Sequence, residues 1–334
     1  MKKPMTLGLV GVTGEVGRAA LEALDALSLD VASVRAIASP RSAGQEVEVD
    51  GDPQKVVALS DGALRGCDVV LFCTPAEVSR AWAPRARAAG CGVVDVSAAF
   101  RGDASVPLVV PEVNGALLAG LASNALVATP SPLATALALV LAPLEGAPQR
   151  VTVTHLAPAS GEGRGGVAEL EKQARDLLAL REPEPAARFP HRLAFNAVPQ
   201  AGAIDAAGSS EAERAGGDEL RRLLSLPELA VHATVVRVPV FYGDLLTVHV
   251  ELAEPLDAAA ARERLRGAPG VKLIDDPAQA VYPMPMLASQ EDAVLVGRVR
   301  SARPGSLELV AVLEAPRRGA ATTALGIARR LARD

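Results

Sequence analysis

The sequence predicts an α/β protein: a Rossmann-type, doubly wound parallel sheet followed by an α+β domain with a mostly antiparallel sheet. Three observations carry this. An apolar run at residues 5–10 breaks into Gly11-Val-Thr-Gly-Glu-Val-Gly17 and continues as a helical pattern from Arg18. Buried-type strands then alternate with helical segments through the first part of the chain, as in βαβ units. From about residue 133 the strands lengthen and alternate apolar with polar residues, the pattern of a sheet covered on one face.

The glycine turn comes first. Glycines at 11, 14 and 17 let the backbone turn tightly and approach a pyrophosphate. That group would sit on the N-terminus of the following helix, where unpaired N–H groups and the dipole favour an anion. The candidate contacts are Gly11, Thr13, Gly14, Glu15 and Val16. The spacing departs from G-x-G-x-x-G, so an ordinary strand-to-helix turn stays open as the alternative. Three glycines at one helix start weaken it unless a ligand offsets the cost.

Residues 32–38 form a second strand, ending in Ser39-Pro-Arg-Ser-Ala-Gly44. The turn after that strand faces the adenosine ribose in a dinucleotide fold, and Arg41 with Ser42 suits a 2′-phosphate where an acid would suit a hydroxyl. The expected cofactor is NADP; a solvated loop side chain is the alternative for Arg41. Residues 68–74 and 92–97 are further buried strands, with a helix carrying Trp82 between them.

In the second domain, residues 134–144 read as a helix, and 151–156, 233–240 and 246–252 as strands. A hairpin through Tyr242-Gly-Asp244 joins the last two strands, and 202–218, rich in Gly, Ala, Ser and acid, reads as a mobile surface loop. Arg317-Arg-Gly-Ala-Ala-Thr opens a basic terminal helix.

Composition removes several function classes. Hydrophobic residues make up 49% and charged residues 22%, as in a soluble globule, while 2% aromatics require an aliphatic core. A net charge of -5 leaves no basic footprint for nucleic acid. Cys67, Cys73 and Cys91 have neither metal-ligand spacing nor a disulfide framework. With no signal-type or membrane-length apolar run, the expectation is a cytoplasmic protein without membrane, metal or nucleic-acid partners.

Several stretches occur together in one order: the glycine turn, Ser39-Pro-Arg-Ser-Ala-Gly44, Ser97-Ala-Ala-Phe-Arg101, Val106-Pro-Leu-Val-Val-Pro-Glu-Val-Asn114 and Arg237-Val-Pro-Val-Phe241. Asn196-Ala-Val-Pro-Gln200, Tyr282-Pro-Met-Pro285, Gly297-Arg-Val-Arg300 and Gly319-Ala-Ala-Thr322 continue the series. On these motifs the chain resembles the aspartate-semialdehyde dehydrogenase family over essentially its whole length.

The resemblance implies an NADP-binding domain over 1–132, completed by a C-terminal helix at 318–334, and a dimerisation and substrate-type domain over 133–317. It implies a homodimer, and leaves open a heterodimer with a catalytic paralogue. It also implies cofactor contacts from Ser160 and Gly161, and a substrate-type pocket of Arg101, Glu219, Arg222 and Arg237. The family works through a cysteine thioester, with a histidine as acid/base and an orienting glutamine. At those three positions this chain carries Pro132, Asp244 and Ala157. Proline has no nucleophile and alanine no donor, although a carboxyl can carry a proton where its surroundings favour the neutral form. Thr323 stands where the family has asparagine.

Plainer roles accompany these. Arg237 could ion-pair with Asp244, and Glu219 with Arg222 could be a solvated i,i+3 pair. Cys73 could be an inert small hydrophobe, and His155 and His249 packed or hydrogen-bonded. Ser131, beside the lost cysteine, has no histidine at a recognisable spacing to activate it. The sequence therefore looks like the non-catalytic Usg paralogue group within the family, an NADP-binding scaffold or sensor. An NADP-dependent oxidoreductase acting on an aldehyde or oxo substrate without the cysteine is the alternative. Unaltered aspartate-semialdehyde dehydrogenase activity is chemically disfavoured without that cysteine.

Overall fold

The first strand, β1 (Met5–Val10), is buried along nearly its whole length and forms the middle of a parallel sheet. The computed structural model describes residues 5–332 apart from Ser28, Asp30, Asp50 and Gly146. The chain divides into two compact units, Met1–Ser131 with Pro316–Asp334, and Pro132–Ala315.

In the first unit, β1 runs into α1 (Glu15–Ala26) and β2 (Val31–Ala38). A two-stranded hairpin, β3 (Glu46–Val49) and β4 (Asp52–Lys55), stands apart from the main sheet. Then come β5 (Val57–Ala58), α2 (Asp61–Leu64), β6 (Val69–Phe72), α3 (Ala76–Ala88), β7 (Gly92–Asp95), α4 (Pro111–Asn114) and β8 (Leu126–Ala128). The strands lie in the order β5-β2-β1-β6-β7-β8, every pair parallel. Every residue of β6 and β7 is buried, which is why these runs read as apolar up to Asp95 at the end of β7.

The second unit opens with α5 (Pro132–Leu141), in which Leu133 to Leu141 are all buried. It continues with β9 (Pro148–Ala157), α6 (Gly163–Leu178), α7 (Glu211–Leu224), β10 (Ala230–Arg237) and β11 (Asp244–Leu252). The remaining elements are α8 (Ala258–Arg266), β12 (Val271–Leu273), β13 (Val294–Arg303) and β14 (Ser306–Leu313). The chain then returns to the first unit as α9 (Thr322–Leu331), whose Ala324, Leu325, Ile327 and Ala328 share a core with Leu7, Leu9 and Ala20. Arg318, just ahead of α9, is fully buried and donates from Nη2 to the Glu112 carboxylate at 2.9 Å.

The second sheet runs β10-β9-β11-β14-β13-β12, with three antiparallel pairs and parallel pairs at both edges. Two expectations are corrected here. The hairpin through Tyr242-Gly-Asp244 does not exist, because β9 lies between β10 and β11. Instead the link crosses the end of β9: Val238 N donates to Ala157 O at 3.0 Å and Ser160 N to Phe241 O at 3.0 Å. Pro239 cannot donate to a ladder, so the chain passes over β9 and enters its far side as β11.

The second correction concerns 202–218, whose later half is the first two turns of α7. Ser210 N donates to Glu213 Oε2 at 2.7 Å, half of the reciprocal cap that Ser-x-x-Glu encodes. Gly216 lets α7 approach α5 closely: a Cβ there would lie 2.6 Å from Leu133 Cδ2, which would have to shift.

Candidate functional site

In the first unit the glycine turn is held by its own backbone. Gly11 and Val12 donate to Ile37 O at 2.8 and 3.2 Å, and Gly14 N donates to Gly11 O at 2.9 Å. Gly11 has φ +88°, and a Cβ there would be driven into the Cys73 carbonyl oxygen. A Cβ at Gly17 would strike the Gly11 carbonyl oxygen. These two glycines serve the strand–helix crossing itself. Gly14 differs, since the nearest atom to a Cβ there is Gly11 O at 3.3 Å.

The first i→i−4 bond of α1 runs from Arg18 N to Gly14 O at 3.0 Å, so the amides of Glu15 and Val16 head the helix, outside its ladder. The seat fits a pyrophosphate: a bare glycine face, helix-end amides and a favourable dipole. Beside it, the Thr13 hydroxyl donates to Ser42 Oγ at 3.5 Å, and Arg41 is exposed on the turn after β2. A hydroxyl pair and a solvent-facing guanidinium fit a 2′-phosphate. Cys73 follows β6; desolvation and the Asp95 charge push its thiol up to about 12, so it stays protonated and inert near neutrality.

Arg101 also lies in this unit, its Nε donating to Thr129 O at 3.0 Å and Nη2 to Val96 O at 2.7 Å. Its charge reaches buried Asp95, whose carboxyl is raised by desolvation against opposing bonds from Ser79 and Ser97.

The second unit gathers a polar cluster at one end of its sheet. Ala157 pairs in register with Arg237, and Leu156 with Leu245, which sets Asp244 at the level of Ala157. His155, two residues before Ala157, points to the same face. His155 Nε2 and Asp244 Oδ1 are 2.7 Å apart, both side chains being buried. His155 Nδ1 and Asp244 Oδ2 are buried without a hydrogen-bond partner.

Arg237 Nη2 donates to Glu162 Oε1 at 2.6 Å, and Nη1 to Pro158 O at 3.1 Å. The alternative Arg237–Asp244 pair is thus replaced by two local ones. Each acidic or basic group is met by a side chain that the β9–α6 stretch brings closer. Gly161 leaves the space the guanidinium fills, since a Cβ there would meet Arg237 Nη1. Ser160 is buried and sits in the same turn.

Glu219 on α7 is 4% exposed, which corrects the solvated-pair alternative, and Arg222 is half-buried. Pro132 is the first residue of α5. His249 is hydrogen-bonded, its Nε2 lying 3.2 Å from Ser306 Oγ.

Residues 6–121 match the family described as the NAD binding domain of semialdehyde dehydrogenase, and residues 141–314 match its dimerisation domain. The chain belongs to the semialdehyde dehydrogenase family. An aspartate-semialdehyde dehydrogenase of Aquifex aeolicus is 35% identical, with 98% of each chain covered. A USG-1 protein homolog of Pseudomonas aeruginosa is 36% identical over 97% of each. The crystal structure of aspartate semialdehyde dehydrogenase II from Vibrio cholerae superimposes with a TM-score of 0.94 at 33% identity, covering 99% of both chains. Among the described residues no helix is long and apolar enough to cross a membrane, and no cluster of His, Cys, Asp and Glu could hold a metal ion.

Within this family fold, two members of the second unit's cluster, Glu162 and His155, escape a motif-based reading. Glu162 lies inside the Ser-Gly-Glu-Gly turn, and only the glycine-cleared seat of Arg237 reveals its role. His155 could be found from period-2 spacing: a histidine two residues before Ala157 shares its face.

Proposed function

We propose that this chain is an NADP-binding, dimer-forming member of the family that does not use a cysteine-linked intermediate, and that it acts as a scaffold or sensor. The observation that supports this best is the polar cluster of the second unit. Arg237 is engaged by Glu162 and the Pro158 carbonyl, and Asp244 by His155. The helix that would present the nucleophile opens on Pro132. An arrangement whose charges neutralise one another suits ligand sensing or structural retention better than thioester chemistry.

NADP would be held by Gly11, Thr13, Gly14, Glu15 and Val16 at its pyrophosphate, and by Arg41 and Ser42 at its 2′-phosphate. In the second unit, Ser160 and Gly161 are the candidate cofactor contacts and Glu219, Arg222 and Arg237 the candidate substrate-type contacts; in the first unit, Arg101 is a further candidate of the substrate type. When bound, the nicotinamide would supply hydride exchange. Homodimerisation through residues 133–317 follows the matched dimerisation domain, and pairing with a catalytic paralogue through the same surface is the heteromeric form of this reading.

One observation favours a second reading, a cysteine-independent oxidoreductase acting on an aldehyde or oxo compound. A buried carboxyl bonded to an imidazole can hold a proton for a carbonyl oxygen. Calorimetric titration with NADP and NAD, alongside nicotinamide reduction with aspartate semialdehyde and phosphate, separates the two. Binding of NADP over NAD without turnover is the expected result. Turnover that Asp244→Ala abolishes would replace the scaffold reading with the second one.

A further inference from the structure

Arg237 is 9% exposed, yet the carboxylate that neutralises it is not equally buried: the Glu162 side chain is 35% exposed and that of Arg237 11%. Glu162 ends a short 3-10 turn, with Gly161 on one side and Gly163, at φ +67°, on the other. Such flanks leave the backbone freer to reorient than any other residue pair would.

The bond is also incomplete. Only Oε1 of Glu162 is bonded, to Nη2 alone, while Nη1 is taken by the Pro158 carbonyl. Among the described residues, Nε of Arg237 has no partner. A guanidinium offers Nη2 and Nε as a fork that a free carboxylate fills with two parallel bonds, more strongly than a one-point contact.

We propose that Glu162 is a displaceable internal ligand: its carboxylate occupies the seat of an anion site built on Arg237, and a small carboxylate that binds there must expel it. This rests on the reading of Arg237 as a ligand-binding residue and specifies its regulation. The occupant is planar and monoanionic at the contact, because the fork matches two coplanar oxygens. The seat is cleared by Gly161 and walled by Pro158, so the incoming group is small. The binding-competent state is the one in which Glu162 has turned outward, and intrinsic affinity is reduced by the fraction of molecules in that state.

The test is calorimetric titration of the full chain with succinate, without dinucleotide, comparing wild type with Glu162→Gln. The neutral amide fills the same space but cannot neutralise the guanidinium. Glu162→Gln is expected to bind at least tenfold more tightly than wild type, and the double variant Glu162→Gln/Arg237→Met to lose that gain. Inorganic phosphate, whose tetrahedral oxygens fit the fork less well, is expected to gain less than succinate.

Equal affinity of wild type and Glu162→Gln, or a gain that survives Arg237→Met, would overturn the proposal. Thermal melts report whether each variant is folded. Glu162→Asp, which keeps the charge but shortens the arm, gives an independent check through an intermediate affinity. The titration uses neither cofactor nor turnover. Its failure leaves the dinucleotide-scaffold reading standing, and observed turnover would overturn that reading without touching this one.

Discussion

Two strand-to-helix turns of this chain are dense in glycine and do opposite things. Between β1 and α1, Gly11 and Gly17 make room for main-chain carbonyls, and Gly14 leaves a bare surface at the head of the helix. Between β9 and α6, Gly161 makes room for a guanidinium from β10, and Glu162 of the same turn then closes on it. The first turn presents backbone amides at the head of a helix; the second is filled by side chains of its own unit. Glycine density signals a close approach, and only the identity of the approaching group distinguishes a ligand seat from an internal clamp.

Substitutions can break this contrast. The largest effect is expected at Gly11. Gly11→Ala combines a positive φ with a collision against main chain, and is expected to cost about 4 kcal/mol in urea unfolding. A stable Gly11→Ala protein would show that the first turn is less tightly crossed than described. Next comes the polar cluster beside the second turn. His155→Ala strands the Asp244 carboxylate without its imidazole and should cost about 3 kcal/mol; a loss well under 1 kcal/mol would mean that water satisfies this carboxylate.

Gly161→Ala should be milder, about 1–2 kcal/mol, because the displaced atom is the tip of an arginine and not backbone. Its signature would be a smaller stability difference between Arg237 and Arg237→Met in the Gly161→Ala background. Gly14→Ala is expected to change stability by no more than about 0.5 kcal/mol, while weakening NADP at least tenfold by calorimetry. Unchanged NADP affinity there would remove the ligand role from the first turn.

The smallest signal is chemical. With its thiol near 12, Cys73 is about one part in ten thousand thiolate at pH 8. Native-state alkylation should therefore be undetectable at Cys73 and rise only when Gly11→Ala wedges its carbonyl.

Most of the first unit was legible because parallel strands buried on both faces are predominantly apolar, as β1, β6 and β7 are. The helix-end glycines were legible for the same local reason. The errors arise where non-local pairing decides. Residues 233–240 and 246–252 are sequence neighbours with a turn between them, yet β9, laid down some eighty residues earlier, separates their strands. The α7 start was encoded in Ser210-Glu-Ala-Glu213, but the surrounding Gly and Ala content outweighed it as a loop signal. At the candidate site, positions carried by motifs were visible. The partners Glu162 and His155 were not, because an ion pair depends on where three strands end relative to one another, which no local pattern records.

The return of α9 to the first unit has a consequence for biogenesis. The core formed by Leu7, Leu9 and Ala20 gains Leu325 and Ile327 only after the whole second unit has been synthesised. On the ribosome, the second unit can complete its own sheet while the core of the first unit is still unfinished.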